Sequence, residues 1–231
     1  PPPPPARTKF TPDLVKEMAQ RLAEQAHSIR QLESNSPLRQ IGYEQYRDIR
    51  VDPQRQIWRT EQVPFRVDVL PAGFLFQNPV SVSIVESGLT REIESPPGTF
   101  ILGPLVEKQL AGQAIPLSGF RVRALINSRA VWDEFLVFQG ASLFRAVGKG
   151  TAYGVSARGL ALRTASPTGE EFPVFTHFWI ERPSANANGI VIHALLQSES
   201  TTGAYRFAVT PGTETIMDVD LTLYPRVTLE H

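Results

Sequence analysis

Apolar and polar positions divide the chain into a short helical start and a long β remainder. Thr11-Pro12-Asp13 is a helix opening: a hydroxyl N-cap, proline at the first helical position and an acid near the positive end of the helix dipole. Leu14, Met18, Leu22, Ile29 and Leu32 then recur at helical spacing, with Val15 and Ala26 alongside, up to a break at Ser34–Pro37. The polar face mixes Lys16, Glu17, Arg21 and Glu24. That mixture predicts packing on the outside of a sheet and not a basic membrane-surface helix.

From about residue 47 the period changes to two. Phe65, Val67 and Val69 alternate with Arg66 and Asp68; Phe120, Val122, Ala124 and Ile126 alternate with Arg121 and Arg123. The cleanest case is Met217, Val219, Leu221 and Leu223 against Asp218, Asp220 and Thr222. Turn clusters such as Gln77-Asn78-Pro79, Ser95-Pro96-Pro97-Gly98, Ala185 to Gly189 and Thr210-Pro211-Gly212 separate the segments. Short strands at this spacing predict a mainly β, antiparallel sandwich with one N-terminal α-helix. Only Ser128 to Glu134 has a further helical look, and it is short. No linker breaks residues 40 to 225, so one domain over 11–226 is expected. Five leading prolines predict a polyproline spacer over 1–10, and Leu229-Glu230-His231 resembles the start of an affinity tag.

Composition excludes more than it selects. The 231 residues suffice for a large buried core, and 23 basic side chains balance 23 acidic ones. No basic stripe marks a nucleic-acid partner. The absence of cysteine removes disulfides, zinc knuckles and thiol catalysis. No apolar run is long enough to cross a bilayer. No GxSxG elbow supports a serine hydrolase.

Several constellations carry possible chemistry. Gly148-Lys149-Gly150-Thr151-Ala152-Tyr153-Gly154 lacks the GK[ST] ending of a phosphate loop and reads as a glycine turn between strands. His177, Trp179 and Glu181 fall on one face of a strand, opposite Thr176, Phe178, Ile180 and Arg182. A metal at that face would need His193 as a further ligand and is the weakest reading; no cofactor is expected. Two readings stand level. In one, Trp179 stacks on a sugar while Glu181 and Arg182 bond its hydroxyls; in the other, Trp179 is core beside a cross-strand Glu–Arg pair. Glu170 and Glu171 suggest the paired acids of glycoside hydrolysis, yet adjacent strand residues point to opposite faces. Arg145 and Arg158 sit among small residues and are expected to hold either a scaffold carboxylate or a substrate hydroxyl, the scaffold role being the commoner. Tyr43-Glu44-Gln45-Tyr46-Arg47-Asp48-Ile49-Arg50 is a second distinctive word, expected to clamp the helix to the sheet.

The longest distinctive stretch runs from Gln139 to Pro183. Its words QGAS-FR (Gln139 to Arg145), YG-SARGLA (Tyr153 to Ala161), GEEFP (Gly169 to Pro173) and FWIERP (Phe178 to Pro183) resemble, in order and spacing, the signature of the osmoregulated periplasmic glucan biosynthesis proteins G and D (OpgG/OpgD, or MdoG). The resemblance extends through YEQYRDIR, GFLF (Gly73 to Phe76), GFRVRALINS (Gly119 to Ser128) and TGAYRF (Thr202 to Phe207). One departure is Val69-Leu70-Pro71-Ala72, where the family often has an aromatic–His step.

The resemblance implies a periplasmic protein acting on glucans with a β-1,2-linked glucose backbone. The fold it implies is a large, supersandwich-like domain of the galactose-mutarotase type with a long cleft, followed by an immunoglobulin-like domain. Some members are endo-β-1,2-glucanases, but the segment holding their catalytic aspartates would lie beyond Arg226. This stretch is therefore expected to be inactive alone, and no catalytic residue carries over. Tyr153, Arg158, Trp179, Glu181 and Arg182 carry over as candidate cleft or scaffold positions. The alternative implied function is a non-catalytic carbohydrate-binding or assembly module partnering a membrane glucosyltransferase. A sandwich cut partway also exposes strand edges, so self-association is expected.

Overall fold

The computed structural model describes residues 7–229. One sheet has seven strands in the order β1 (Thr8–Lys9), β5 (Leu89–Glu92), β4 (Ser81–Glu86), β11 (Val174–Glu181), β12 (Ile190–Gln197), β13 (Thr201–Thr210) and β14 (Ile216–Pro225). A second has five: β10 (Ala157–Arg158), β9 (Leu143–Ala146), β8 (Asp133–Gln139), β7 (Leu117–Ala124) and β3 (Arg66–Pro71). A small ladder joins β2 (Ile49–Val51) to β6 (Phe100–Leu102). The helices are α1 (Pro12–Ala23), α2 (Pro37–Gln40), α3 (Tyr43–Arg47) and α4 (Glu107–Leu110). The mainly β sandwich expected from the alternating pattern is what forms.

Pairing is antiparallel except at one ladder. Strands β4 and β11 run parallel, with Phe178 opposite Val82 and Ile180 opposite Ile84. A parallel pair cannot be closed by a hairpin, so the chain builds most of the second sheet before returning to β4.

The two sheets meet across an aromatic layer. Phe138 on β8 lies 5.5 Å from Phe178 and 5.0 Å from Phe207 of the facing sheet, ring centre to ring centre. Phe120 approaches Phe178 edge-on at 5.1 Å, and Phe175 meets Tyr205 at 5.1 Å. Edge-to-face pairs add to the area that each ring already removes from water. The inner residues Val67, Val122, Leu136, Ile180, Ile192, Ala194 and Phe207 are fully enclosed. A bulge between Phe175 and His177 turns both Phe175 and Phe178 inward.

A separate, smaller core lies on the far side of the seven-stranded sheet. There α1 packs Val15 and Ala19 onto Trp179, Leu195, Ala204 and Val85, with Phe10 completing the cluster. The Thr11 hydroxyl accepts from the Leu14 amide at 3.3 Å, as its sequence position predicts. Thr202 donates to the carbonyl of Ala19 at 2.6 Å, and Arg226 donates to the carbonyls of Ala23 and Gln25 at the other end.

Three sequence expectations are corrected here. The helix ends at Ala23, so Ile29 and Leu32 belong to a following stretch without helix; Leu32 joins the main core from there. The spacer assigned to residues 1–10 stops short at its inner end, its first six residues lying outside the described ones. Thr8 and Lys9 pair with Thr90 and Leu89, and Phe10 is buried 6.0 Å from Trp179. The YEQYRDIR word does not clamp α1. Its Tyr46 hydroxyl donates to the Pro71 carbonyl and accepts from Gln139, which fixes α3 against the five-stranded sheet. Asp48 accepts from the Leu105 amide at 2.9 Å.

Trp179 is the side chain on which the outer core turns. Trp179→Ala is expected to lower unfolding free energy by about 3–5 kcal/mol, because the cavity lies under a helix anchored at both ends. Urea denaturation followed by circular dichroism measures this; a change below about 1 kcal/mol would contradict the packing role.

Candidate functional site

Alternation in the five-stranded sheet puts one set of side chains inward and leaves the other on a face that no helix covers. Across β3, β7, β8 and β9 one outward row reads Asp68, Arg121, Val137, Arg145, and the next reads Arg66, Arg123, Glu134. Four arginines thus stand against two carboxylates on adjoining strands.

Asp68 organises them. Its Oδ2 accepts from Arg121 Nε and Arg123 Nε, both at 2.7 Å, and its side chain is wholly enclosed. Arg121 also donates to Glu134 at 2.9 Å, and Arg123 to the Trp132 carbonyl at 3.0 Å. Burial alone would raise the Asp68 pKa. The hydrogen bonds and charges of Arg123 and Arg121 outweigh that and hold it below its ordinary value.

Aromatic rings flank the charges. Arg66 stacks on Trp132 with 4.1 Å from guanidinium carbon to ring centre, Arg145 on Tyr153 at 4.5 Å, and Arg158 on Phe172 at 5.2 Å. Trp132 and Tyr153 are partly exposed, and Phe172 is exposed. The Tyr153 hydroxyl is turned towards Glu134 but completes no well-formed hydrogen bond, and burial with that neighbouring charge raises its pKa.

Three polar atoms here are buried without a partner: Asp68 Oδ1, Arg66 Nε and Tyr153 Oη. Only two others occur among the described residues, His27 Nδ1 and Arg226 Nη2. Buried polar groups are paired in the great majority of cases, so these three enclosed atoms mark this as the face where internal pairing is least complete.

The residues singled out from sequence distribute unevenly. Tyr153 and Arg158 lie on or beside this face, Arg158 being paired with Glu170. Trp179 lies on the opposite side of the molecule, buried beneath α1, where it has no ring face free for a sugar; of its two readings, packing is the one it fits. Glu181 accepts from or shares a proton with His193 Nε2 at 2.6 Å, so its cross-strand partner is a histidine and not an arginine. Arg182 bridges Glu61 and Glu86 on the surface. Glu171 is a buried anchor for its loop, accepting from Ser198 and Ser200, while Glu170 faces Arg158. The two adjacent acids therefore point apart, although they lie in a loop joined to its neighbour only by the isolated bridge between Leu162 and Glu171. Sequence reading passed over Trp132, Asp68 and Glu134. The signal available was the Arg-x-Arg at 121 and 123 opposite Asp68, an arrangement that alternation predicts only once the pairing register is known.

The strands that build this face also carry the words that set the chain's kinship. The family model described as "Periplasmic glucan biosynthesis protein, MdoG" matches residues 10–231. The chain belongs to that family. It is 46% identical over 220 residues to glucans biosynthesis protein G 1 of Shewanella oneidensis, covering 95% of this chain and 40% of the relative. The glucans biosynthesis proteins G of Shewanella sp. strain MR-4 and of Shewanella baltica strain OS155 are equally similar, at 46% each. The chain spans about two fifths of the length of these curated relatives. Within the family frame, QGAS-FR supplies Arg145 to the uncovered face, GFRVRALINS supplies Arg121 and Arg123, and YG-SARGLA supplies Tyr153 and Arg158. Among the described residues no helix is long and apolar enough to cross a membrane.

Asp68→Asn tests the electrostatic frame. The native pKa is depressed, so the carboxylate's stabilisation is complete above its unfolded value, about 3.9, and is lost as pH falls through the folded value. The variant is expected to lose about 3 kcal/mol at neutral pH. Its stability should also fall less steeply than the parent's on acidification, measured by urea midpoints across the carboxylate range. Parallel acid limbs would remove Asp68 as the source.

Proposed function

We propose that the uncovered face of the five-stranded sheet binds glucan in the periplasm, the family's name supplying the ligand class and this geometry its seat. The observation that carries the reading is the combination of a fixed row of arginines with partly exposed flat rings on a single face. A pyranose has C–H faces that stack on aromatic rings and a rim of hydroxyls that both donate and accept. Trp132 and Tyr153 offer the rings; Arg66, Arg121, Arg145 and Glu134 offer charge-assisted hydrogen bonds to the rim. Asp68 serves beneath them, fixing two guanidinium groups so that little side-chain entropy is lost on binding.

The ligand favoured is a β-1,2-linked glucan. Cleavage or remodelling of it belongs, in this reading, to acids outside this stretch. Asp68 is held ionised by two arginines and is poorly suited to donate a proton to a leaving oxygen. A partnership with a membrane glucosyltransferase is the alternative role for the same surface.

Calorimetric titration with linear β-1,2-glucan tests the proposal. Trp132→Ala and Arg145→Ala are each expected to weaken binding about tenfold or more, equivalent to about 1.4 kcal/mol. Glu181→Gln, on the opposite side of the molecule, should leave affinity unchanged. Undiminished binding by both face variants, or none by the folded parent, would sink the assignment.

A further inference from the structure

Between β9 and β11 the chain runs through a long loop whose only strand is the two-residue β10. Of the described residues 149–172 Glu171 alone is buried. A carboxylate is costly to take out of water unless its oxygens are bonded. Here Oε1 accepts from the Ser200 amide at 2.9 Å and from the Ser198 hydroxyl. Oε2 accepts from the Ser200 hydroxyl at 2.5 Å and from Arg163 at 3.4 Å. Burial would raise the Glu171 pKa, but the bonds from Ser198 and Ser200 and the charge of Arg163 hold it below its ordinary value. Both serines lie in the turn between β12 and β13, so the loop is locked into the seven-stranded sheet.

A second clasp comes from the same sheet. Tyr205 on β13 donates to the Gly159 carbonyl at 2.8 Å, and the Gly159 amide donates to the Ser142 carbonyl at 2.8 Å. A side-chain carbon at Gly159 would come within 2.7 Å of the Phe175 ring, so the chain is pressed close at this point.

Arg158 stands between the clasps. Its neighbour Ala157 pairs with Phe144, whose ring stacks inward on Phe138, so Arg158 stands on the outer side of the five-stranded sheet with Arg145. The residues on either side of Glu171 hold its guanidinium: Glu170 by an ion pair and Phe172 by its ring, 5.2 Å from the guanidinium carbon.

We infer that Glu171 is a positioning residue for the face proposed to bind glucan. Its carboxylate, locked into the β12–β13 turn, fixes Glu170 and Phe172, and these aim Arg158 at a sugar hydroxyl. This role rests on the glucan reading above and adds that one sheet sets a binding side chain of the other.

A double-mutant cycle by calorimetric titration with linear β-1,2-glucan tests this on the intact chain. Arg158→Ala is expected to weaken binding about tenfold, and Glu171→Gln about fivefold or more. With Arg158 already alanine, Glu171→Gln should cost less than about a further twofold, because a residue that acts through another then has nothing left to remove. Unchanged affinity in Glu171→Gln, or losses that simply add, would overturn the role and leave the glucan reading standing. Should Glu171→Gln fail to fold, Ser200→Ala takes its place in the cycle. Hydrogen exchange decides the matter without sugar. Amides of residues 157–171 should exchange about tenfold faster in the variant while those of β8 keep the parent rate. Equal exchange would overturn the positioning role. No binding by the folded parent would remove the glucan reading instead, and the exchange rates alone then decide whether Glu171 fixes Arg158.

Discussion

The parallel ladder between β4 and β11 is the constraint on which the rest of the fold depends. It fixes the centre of the seven-stranded sheet, and it can form only after everything between Glu86 and Val174 has been laid out. That intervening chain supplies four of the five strands of the other sheet. Closing so long an excursion costs entropy that must be recovered from non-local contacts. The ring cluster around Phe138 is where it is recovered, because β8 brings one large side chain against both β11 and β13 at once. The rings that stack the sheets thus sit on the strands whose pairing closes the excursion.

With its inner face spent on that cluster, each sheet has one face left. The seven-stranded sheet gives its outer face to α1, and the five-stranded sheet leaves its own uncovered. This asymmetry explains why paired charges collect on one side. A face without a helix can afford charged residues, provided each is held. Asp68 holds two arginines while fully enclosed, an arrangement whose desolvation cost is met only by bonds from both partners. Arginine suits the role because its planar fork can serve a carboxylate along one edge and still present other donors outward. Arg121 does this between Asp68 and Glu134.

How much of this could be read from the chain depended on range. Period-two alternation identified the strands at Phe65–Val69, Phe120–Ile126 and Met217–Leu223, because side-chain direction is a local property. The family words were legible for the same reason. Helix length was not: Ile29 and Leu32 keep helical spacing, yet Arg226, distant in sequence, meets the last turn of the helix and the carbonyl just beyond it. Trp179 sat on the predicted face of its strand, but nothing nearby revealed that α1 would cover that face. Phe10 was hidden by its proline-rich neighbourhood, and it contributes to the second core through a tertiary contact. The charged face itself was half visible. Arg145, Tyr153 and Arg158 stood out by their surroundings, whereas Asp68 and Trp132 gain their meaning only from strands far away in the chain.

The hold that Arg226 and Thr202 exert on α1 has a consequence for the order of events at the ribosome. The helix precedes in the chain β12, β13 and β14, the strands against which it lies most closely. At ordinary elongation rates of about 5–20 residues per second, Val15 and Ala19 emerge on the order of ten seconds or more before Leu195 and Ala204 exist to receive them. A twelve-residue helix is marginal alone. During that interval its apolar stripe is a natural handle for a chaperone.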